Sequence, residues 1–240
     1  MSMMLIIPTV DIAGGRCVQL VGGRINSASE YGDPVDWARR WCDEGAELLH
    51  VVDLDAALGL GDNTEKVVEI VRAVDVPVQV GGGIRSLDRV SVLISEGVER
   101  IVVGTVAVKN PELLDKMIDL AGAKRIVVAI DSKGGRVVID GWREPVQLTP
   151  IEAARIFAKK GIWGFLYTMV DVEGTMAGVR PDDIRSVVSA TPLPVLVSGG
   201  IGNLEDLRKL KACGVYGAVV GKALYERRFS LREAMEVVSR

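Results

Sequence analysis

The strongest constraint on this chain's fold is that its 240 residues repeat themselves once, at half length. Asp11-Ile-Ala-Gly-Gly-Arg-Cys-Val18 lines up with Asp131-Ser-Lys-Gly-Gly-Arg-Val-Val138, an offset of 120 from position 11 to position 131. Pro77-Val-Gln-Val-Gly-Gly-Gly-Ile84 lines up with Pro194-Val-Leu-Val-Ser-Gly-Gly-Ile201, an offset of 117 from position 77 to position 194. At that second offset Leu87 meets Leu204, Gly97 meets Gly214, and Val102-Val-Gly104 meets Val219-Val-Gly221. A repeat this long makes each half a structural unit that is completed by the other, and chemical features should occur twice.

Short β-branched runs alternate with amphipathic stretches throughout. Strands are expected at Leu5–Val10, Leu48–Asp53, Val76–Val80, Arg100–Val103, Arg125–Ile130, Gly164–Met169, Val195–Val197 and Ala218–Val220. They are apolar on both faces, as parallel strands buried under helices must be. Asp33-Pro34, Ser86, Asn110-Pro111, Thr149-Pro150, Arg180-Pro181 and Asn203 mark helix starts, with helices expected over Pro34–Gly45 and Ser86–Glu96. Eight strand–helix units without a linker imply an α/β fold: one (β/α)8 TIM barrel covering residues 1–240, built from half-barrels of about 1–122 and 123–240.

In such a barrel, function gathers where the strands end. Gly81-Gly82-Gly83-Ile84 follows strand three and Gly104-Thr105 follows strand four. Ser198-Gly199-Gly200-Ile201 follows strand seven and Gly221-Lys222 follows strand eight. A lone Gly-Gly makes only a tight turn. Here it recurs at matched positions, each time with a glycine ending the next strand. Glycines let backbone N–H groups approach an anion, aided by the next helix start. Two phosphate cradles are expected, and with them an elongated small-molecule substrate carrying a phosphate at each end. Asp11 and Asp131 end the opposed strands one and five, so both carboxyls should face the mouth between the cradles. Asp53 and Asp55 also lie near it.

Composition narrows the chemistry. A single histidine, His50, leaves acid–base work to carboxylates and excludes a multi-histidine metal site. Three scattered cysteines, Cys17, Cys42 and Cys213, form no C-x-x-C pair, which argues against a disulfide scaffold or zinc and fits the cytoplasm. A net charge of −3 without basic runs lacks the footprint of a nucleic-acid binder. No apolar run reaches bilayer length, and the apolar start, Met1 to Thr9, reads as a strand rather than a signal peptide. Arg85, after the first Gly-Gly-Gly-Ile, can contact substrate or form a surface pair. Trp142, in the loop after strand five, can stack on a planar ring or pack on the rim. His50 can be a ligand contact or a hydrogen-bonded core residue.

These residues carry a family resemblance. Ile7-Pro-Thr-Val-Asp11, Arg16-Cys-Val-Gln-Leu20, Leu49-His-Val-Val-Asp-Leu-Asp55, Val78-Gln-Val-Gly-Gly-Gly-Ile-Arg85, Val103-Gly-Thr-Val-Ala-Val-Lys-Asn-Pro111 and Gly141-Trp142 are among the matching segments. Tyr167-Thr168, Glu173-Gly-Thr175, Ser198-Gly-Gly200 and Val220-Gly-Lys-Ala-Leu-Tyr225 continue them. Over essentially its whole length the chain resembles the histidine-biosynthesis isomerases that turn the phosphoribosylformimino form of aminoimidazole carboxamide ribonucleotide into its phosphoribulosyl form. The resemblance implies a TIM barrel with no metal and no cofactor, and an Amadori rearrangement of an aminoaldose to an aminoketose. It makes Asp11 the general base and Asp131 the general acid, and puts Thr168, Glu173, His50, Arg85 and Trp142 on substrate. Gly174 and Thr175 join the phosphate-binding set. Two positions depart from the family pattern: Met169 and Glu173 both stand where aspartate is usual.

Three alternatives stand beside this reading. The cyclase of the same pathway resembles the chain in fold, cradles and aspartates, though Arg16–Leu20, His50–Asp55 and Trp142 look like the isomerase. An enzyme that also isomerises phosphoribosylanthranilate resembles it too, but with Arg-Gly-Trp where this chain has Asp140-Gly-Trp142; a dedicated phosphoribosylanthranilate isomerase is expected to carry cysteine in place of Asp11. A non-catalytic phosphosugar-binding barrel would need the cradles without the mouth carboxylates. A monomer is expected, although no sequence feature decides the oligomeric state.

Overall fold

The computed structural model describes residues 4–239, so Met1–Met3 of the apolar start lie outside the described residues. Eight strands run parallel and close on themselves: β1 (Leu5–Ala13), β2 (Leu49–Asp53), β3 (Val78–Gly81), β4 (Arg100–Val103), β5 (Ile126–Lys133), β6 (Gly164–Met169), β7 (Val195–Ser198) and β8 (Gly217–Val220). The ring closes where β8 pairs β1 through Leu5 and Gly217, and the half-way seam is β4 on β5, with Val102 opposite Val127; β5 in turn pairs β6, with Asp131 opposite Thr168. The chain is therefore the (β/α)8 barrel expected, with strand limits moved by a few residues.

Side-chain alternation divides the core in two. Ile7, Leu48, Val102, Val127, Leu166, Leu196 and Val219 point inward and plug the barrel. The residues between them, such as Val10, Ile12, Val51 and Val80, point outward and meet Trp41, Leu93 and Leu114 of the helix layer. The helix starts follow the cap chemistry. The Asp33 carboxylate accepts from Val35 N at 2.7 Å ahead of the helix Pro34–Asp43, and Thr149 with Glu152 forms a capping box ahead of Pro150–Phe157. Asn110 and Asn203 cap their helices, whereas Arg180 supplies no side-chain cap and leaves Pro181 to start the turn.

The sequence reading did not anticipate two excursions. After β1 the chain turns at Gly14-Gly15 into a hairpin, Arg16–Val21 and Arg24–Gly32; after β5 it turns at Gly134-Gly135 into Arg136–Ile139, which pairs with Glu144–Pro145. The half-length repeat extends into these loops. Gly14 N donates to Asp55 at 2.6 Å, and Gly134 N donates to Asp171 at 3.0 Å, so each Gly-Gly turn is tied to the loop after the next strand.

Asp53 is fully buried and serves the fold rather than the mouth chemistry. It accepts from Ala56 N (3.1 Å), Asn63 N (2.9 Å), Asn63 Nδ2 (2.8 Å) and Arg89 Nη2 (2.6 Å). The second half has nothing matching: Met169 ends β6 in the apolar layer, and Asp171 meets Arg180 at 3.5 Å near solvent. Removing a carboxylate that is buried against an arginine costs about 3–5 kcal/mol, whereas an exposed pair contributes about 1 kcal/mol or less. Asp53→Ala should therefore lower the urea unfolding free energy by about 3–5 kcal/mol and Asp171→Ala by about 1 kcal/mol. Equal losses would refute this asymmetry.

Candidate active site

One cavity opens at the C-terminal ends of the barrel strands, and the duplicated motifs meet around it. Gly82 and Gly199 both have left-handed backbones, at φ +93° and +91°. A Cβ at Gly82 would sit 2.2 Å from the Asp53 carbonyl oxygen, and one at Gly199 would sit 2.7 Å from the Met169 carbonyl oxygen. The same turn is thus pressed against the end of the neighbouring strand in both halves, which only glycine allows. Gly104 (φ −103°, ψ −91°) and Gly221 (φ −107°, ψ −104°) also share one conformation, each at the start of a short helix, Thr105–Lys109 and Lys222–Tyr225. Gly83, Gly200, Thr105 and Lys222 line the same cavity.

Asp11, Asp131 and Glu173 all reach this cavity. The barrel wall strips water from Asp11 and pushes its carboxyl up to about 6, against hydrogen bonds from Thr9 Oγ1 (2.5 Å) and Gln19 Nε2 (3.3 Å). Desolvation raises Asp131 as well, opposed by hydrogen bonds from Thr168 and Trp142. Glu173 is pushed up to about 7, by desolvation first and then by the charges of Asp11 and Asp131. Three carboxyls in one enclosure cannot all ionise cheaply. Such a set can hold a donor acid and an acceptor base together near neutral pH.

The family described as histidine biosynthesis protein matches residues 5–230. The chain is 45% identical over 236 residues to the 1-(5-phosphoribosyl)-5-((5-phosphoribosylamino)methylideneamino) imidazole-4-carboxamide isomerase of Methanocaldococcus jannaschii, covering 98% of this chain and 99% of that one. It is 48% identical over 234 residues to the isomerase of the same name from Natronomonas pharaonis, covering 97% and 98%. The isomerase of that name from Methanocella arvoryzae is 44% identical over 236 residues, covering 98% of each chain. This chain belongs to the histidine-biosynthesis family.

Within this family member, most residues singled out from sequence share the one cavity. His50 lines it and stays neutral, since burial lowers its pKa to about 4. Arg85 rims it while donating to the Ala56 and Ala57 carbonyls at 2.9 and 2.8 Å, so its guanidinium also holds the short helix Leu54–Leu58. Trp142 sits on a strained loop at φ +67° and lies over Gly23 of the first excursion, where an added Cβ would be 2.5 Å from the indole. Gly174 lines the cavity and backs onto the Leu20 carbonyl, and Gly22 N donates to Glu173 O at 2.9 Å.

Thr175 stands apart from the other candidates. It lies outside the cavity lining, exposed, and its hydroxyl is spent on its own turn, donating to Val172 O at 2.7 Å and accepting from Ala177 N at 3.2 Å. A three-residue motif match moved with its neighbours, but only Glu173 and Gly174 face inward. Met169 likewise leaves the mouth undisturbed, because its side chain packs in the outward apolar layer while Thr168 faces in.

Sequence reasoning missed Thr9, Gln19 and Ser198. Thr9 stands two residues before Asp11, so strand alternation could have found it. Ser198 is the register partner of Thr168 and donates to it at 3.0 Å. Gln19 lies within the family-like segment Arg16–Leu20, but that match gave no direction for its side chain; it reaches from Asp11 to Gly221, where an added Cβ would clash with its Oε1. Among the described residues no three His, Cys, Asp or Glu side chains converge to hold a metal ion.

The raised carboxyls make stability depend on pH. Asp11 and Glu173 ionise less readily folded than unfolded, so between about pH 4 and 7 the folded chain holds protons the unfolded chain has released. Their contribution to stability is therefore full below about pH 4 and declines as pH rises through 6 and 7. Glu173→Gln should be more stable than the parent at pH 8, by roughly 1–3 kcal/mol, and equal to it at pH 4. Urea melts at the two pH values check this; a variant that is less stable at pH 8 would contradict the raised carboxyl.

Proposed function

We propose that this chain isomerises 1-(5-phosphoribosyl)-5-((5-phosphoribosylamino)methylideneamino) imidazole-4-carboxamide, the compound its relatives are named for isomerising, and that it does so by an Amadori rearrangement. The observation that carries the reading to the residues is the pairing of Asp11 and Asp131 in one cavity between two matched glycine cradles. Such a site suits a substrate with a phosphate at each end. Gly82, Gly83, Gly104 and Thr105 take one phosphate; Gly174, Gly199, Gly200, Gly221 and Lys222 take the other.

In this proposal Asp131, protonated, gives its proton to the ribose ring oxygen. The C1–O bond breaks and the amine nitrogen's lone pair forms the protonated Schiff base. Asp11, ionised, removes the proton from C2, and the electrons move to give the enolamine. Protonation at C1 and loss of the enol proton yield the ketone and restore the starting protonation overall. Glu173, raised to about 7, is neutral enough to donate a hydrogen bond to a substrate hydroxyl, Thr168 holds Asp131, and Trp142 covers the planar ring. We also assign the half-barrels to residues of about 1–122 and 123–240, a small-molecule substrate as the ligand, a monomer as the working unit and the cytoplasm as its place. Among the described residues no helix is long and apolar enough to cross a membrane.

Purified protein offered the formimino ribonucleotide should turn it over, with Asp11→Asn and Asp131→Asn each about 10²–10⁴ slower in kcat and still binding substrate. Phosphoribosylanthranilate, offered in parallel, should be left unchanged; its turnover would reveal a dual-specificity enzyme. Failure on both substrates, with product formed by the cyclase reaction supplied with ammonia, would overturn the isomerase reading.

A further inference from the structure

Below the mouth the barrel interior carries a polar column that the proposed chemistry does not use. Gln79 is fully buried on β3, between His50 on β2 and Arg100 on β4, its register partners on either side. Gln79 Nε2 and His50 Nδ1 are 3.0 Å apart. Arg100, itself 9% exposed, lies with its guanidinium 4.0 Å above the Trp163 ring. Two buried atoms in this column have no partner among the described residues: Gln79 Oε1 and Arg100 Nη1.

The donor and acceptor inventory settles how such a column must be ordered. Arginine only donates, so whatever faces it must accept. A glutamine amide has one accepting and one donating end. With its oxygen turned to Arg100, Gln79 can offer His50 only an N–H, so His50 Nδ1 must be the acceptor and the ring proton must sit on Nε2. Burying an unpaired amide oxygen and an unpaired guanidinium N–H is costly, and one internal water accepting from Arg100 and donating to Gln79 satisfies both.

We propose that Arg100, a bridging water and Gln79 form a relay up the barrel that locks His50 in the Nε2–H tautomer, so that this ring presents a hydrogen-bond donor to the cavity. Gln79 and Arg100 are thereby positioning residues, acting through His50 on substrate they never touch. The functional half of this inference rests on the isomerase reading and on His50 contacting substrate; the tautomer half does not.

Because His50 is the chain's single histidine, the imidazole nitrogens of ¹⁵N-histidine-labelled protein report on it alone. At pH 7, without substrate, the parent should show a neutral ring with the proton on Nε2. Gln79→Glu, which can only accept, should move the proton to Nδ1 or charge the ring. Arg100→Met should free the amide to flip and give a mixture of tautomers. In the assay with formimino ribonucleotide, Gln79→Glu should lose at least about ten-fold in kcat/KM with Asp11 and Asp131 intact. An Nδ1–H or charged ring in the parent protein would overturn the relay even if neither variant folds. An unchanged tautomer in Arg100→Met would overturn the role of Arg100. The predicted tautomers with undiminished kcat/KM in Gln79→Glu would overturn the positioning role, and no turnover by the parent would instead count against the isomerase reading.

Discussion

Closure of eight parallel strands obliges each of them to send alternate side chains into a space with no other exit than its two ends. What fills that space from bottom to top organises the rest of the molecule. Ile7, Leu48, Val102, Val127, Leu166, Leu196 and Val219 fill much of its middle, beside the polar column of Gln79 and Arg100. The next inward positions up are Thr9 and Asp11, His50, Ala129 and Asp131, Thr168 and Ser198, all bordering the cavity. Because that plug is largely apolar, the carboxyls above it meet solvent chiefly from the mouth. Their raised pKa values follow from that placement, since charge is unfavourable where water reaches chiefly from one side.

The two halves answer this constraint with the same devices and different bonds. Both fold a Gly-Gly turn back over the top and tether it with a carboxylate, Asp55 to Gly14 and Asp171 to Gly134. Both press a left-handed glycine, Gly82 or Gly199, against the end of the preceding barrel strand. They differ one layer outward. The first half locks that strand end with buried Asp53 on Arg89; the second has apolar Met169, and the residue matching Arg89 is Asp206, which turns to the Gly202 N–H at 3.0 Å. A charged strand end requires the arginine; an apolar one does not. Met169 thus packs behind the wall, in the outward apolar layer.

That division explains what could be read from sequence and what could not. Asp11 and Asp131 were legible because alternation, strand-end position and repetition agreed on them. The eight strands were legible because parallel strands are apolar on both faces. The outward position of Thr175 was not legible, because a motif match carries no orientation, while the turn after Gly174 leaves the next residue exposed. The excursion strands and Gln19 were hidden because their residues alternate weakly and pair only with each other and the rim. The roles of Asp53 and Asp55 were ambiguous in one dimension: carboxylates near a mouth look alike until their partners, Arg89, Asn63 and the Gly14 N–H, are known.

The crowding of Asp11, Asp131 and Glu173 is a feature a stability-driven design would avoid, since each would fold more favourably as an amide at neutral pH. Its value lies in the separation of roles. With identical surroundings, only mutual repulsion would set two aspartates apart, and nothing would fix which of them holds the proton. Here Asp11 is held by Thr9 of its own strand and Gln19 of the first half's excursion, Asp131 by Thr168 of the adjacent strand and Trp142 of the second half's excursion, and Glu173 adds a nearby negative charge whenever it ionises. A repeated fold offers the same carboxyl twice, and its loops, which diverge most between the halves, give the two copies different neighbours. The symmetry supplies the pair, and the loss of symmetry in the loops gives its members the different surroundings that the proposed division into acid and base requires.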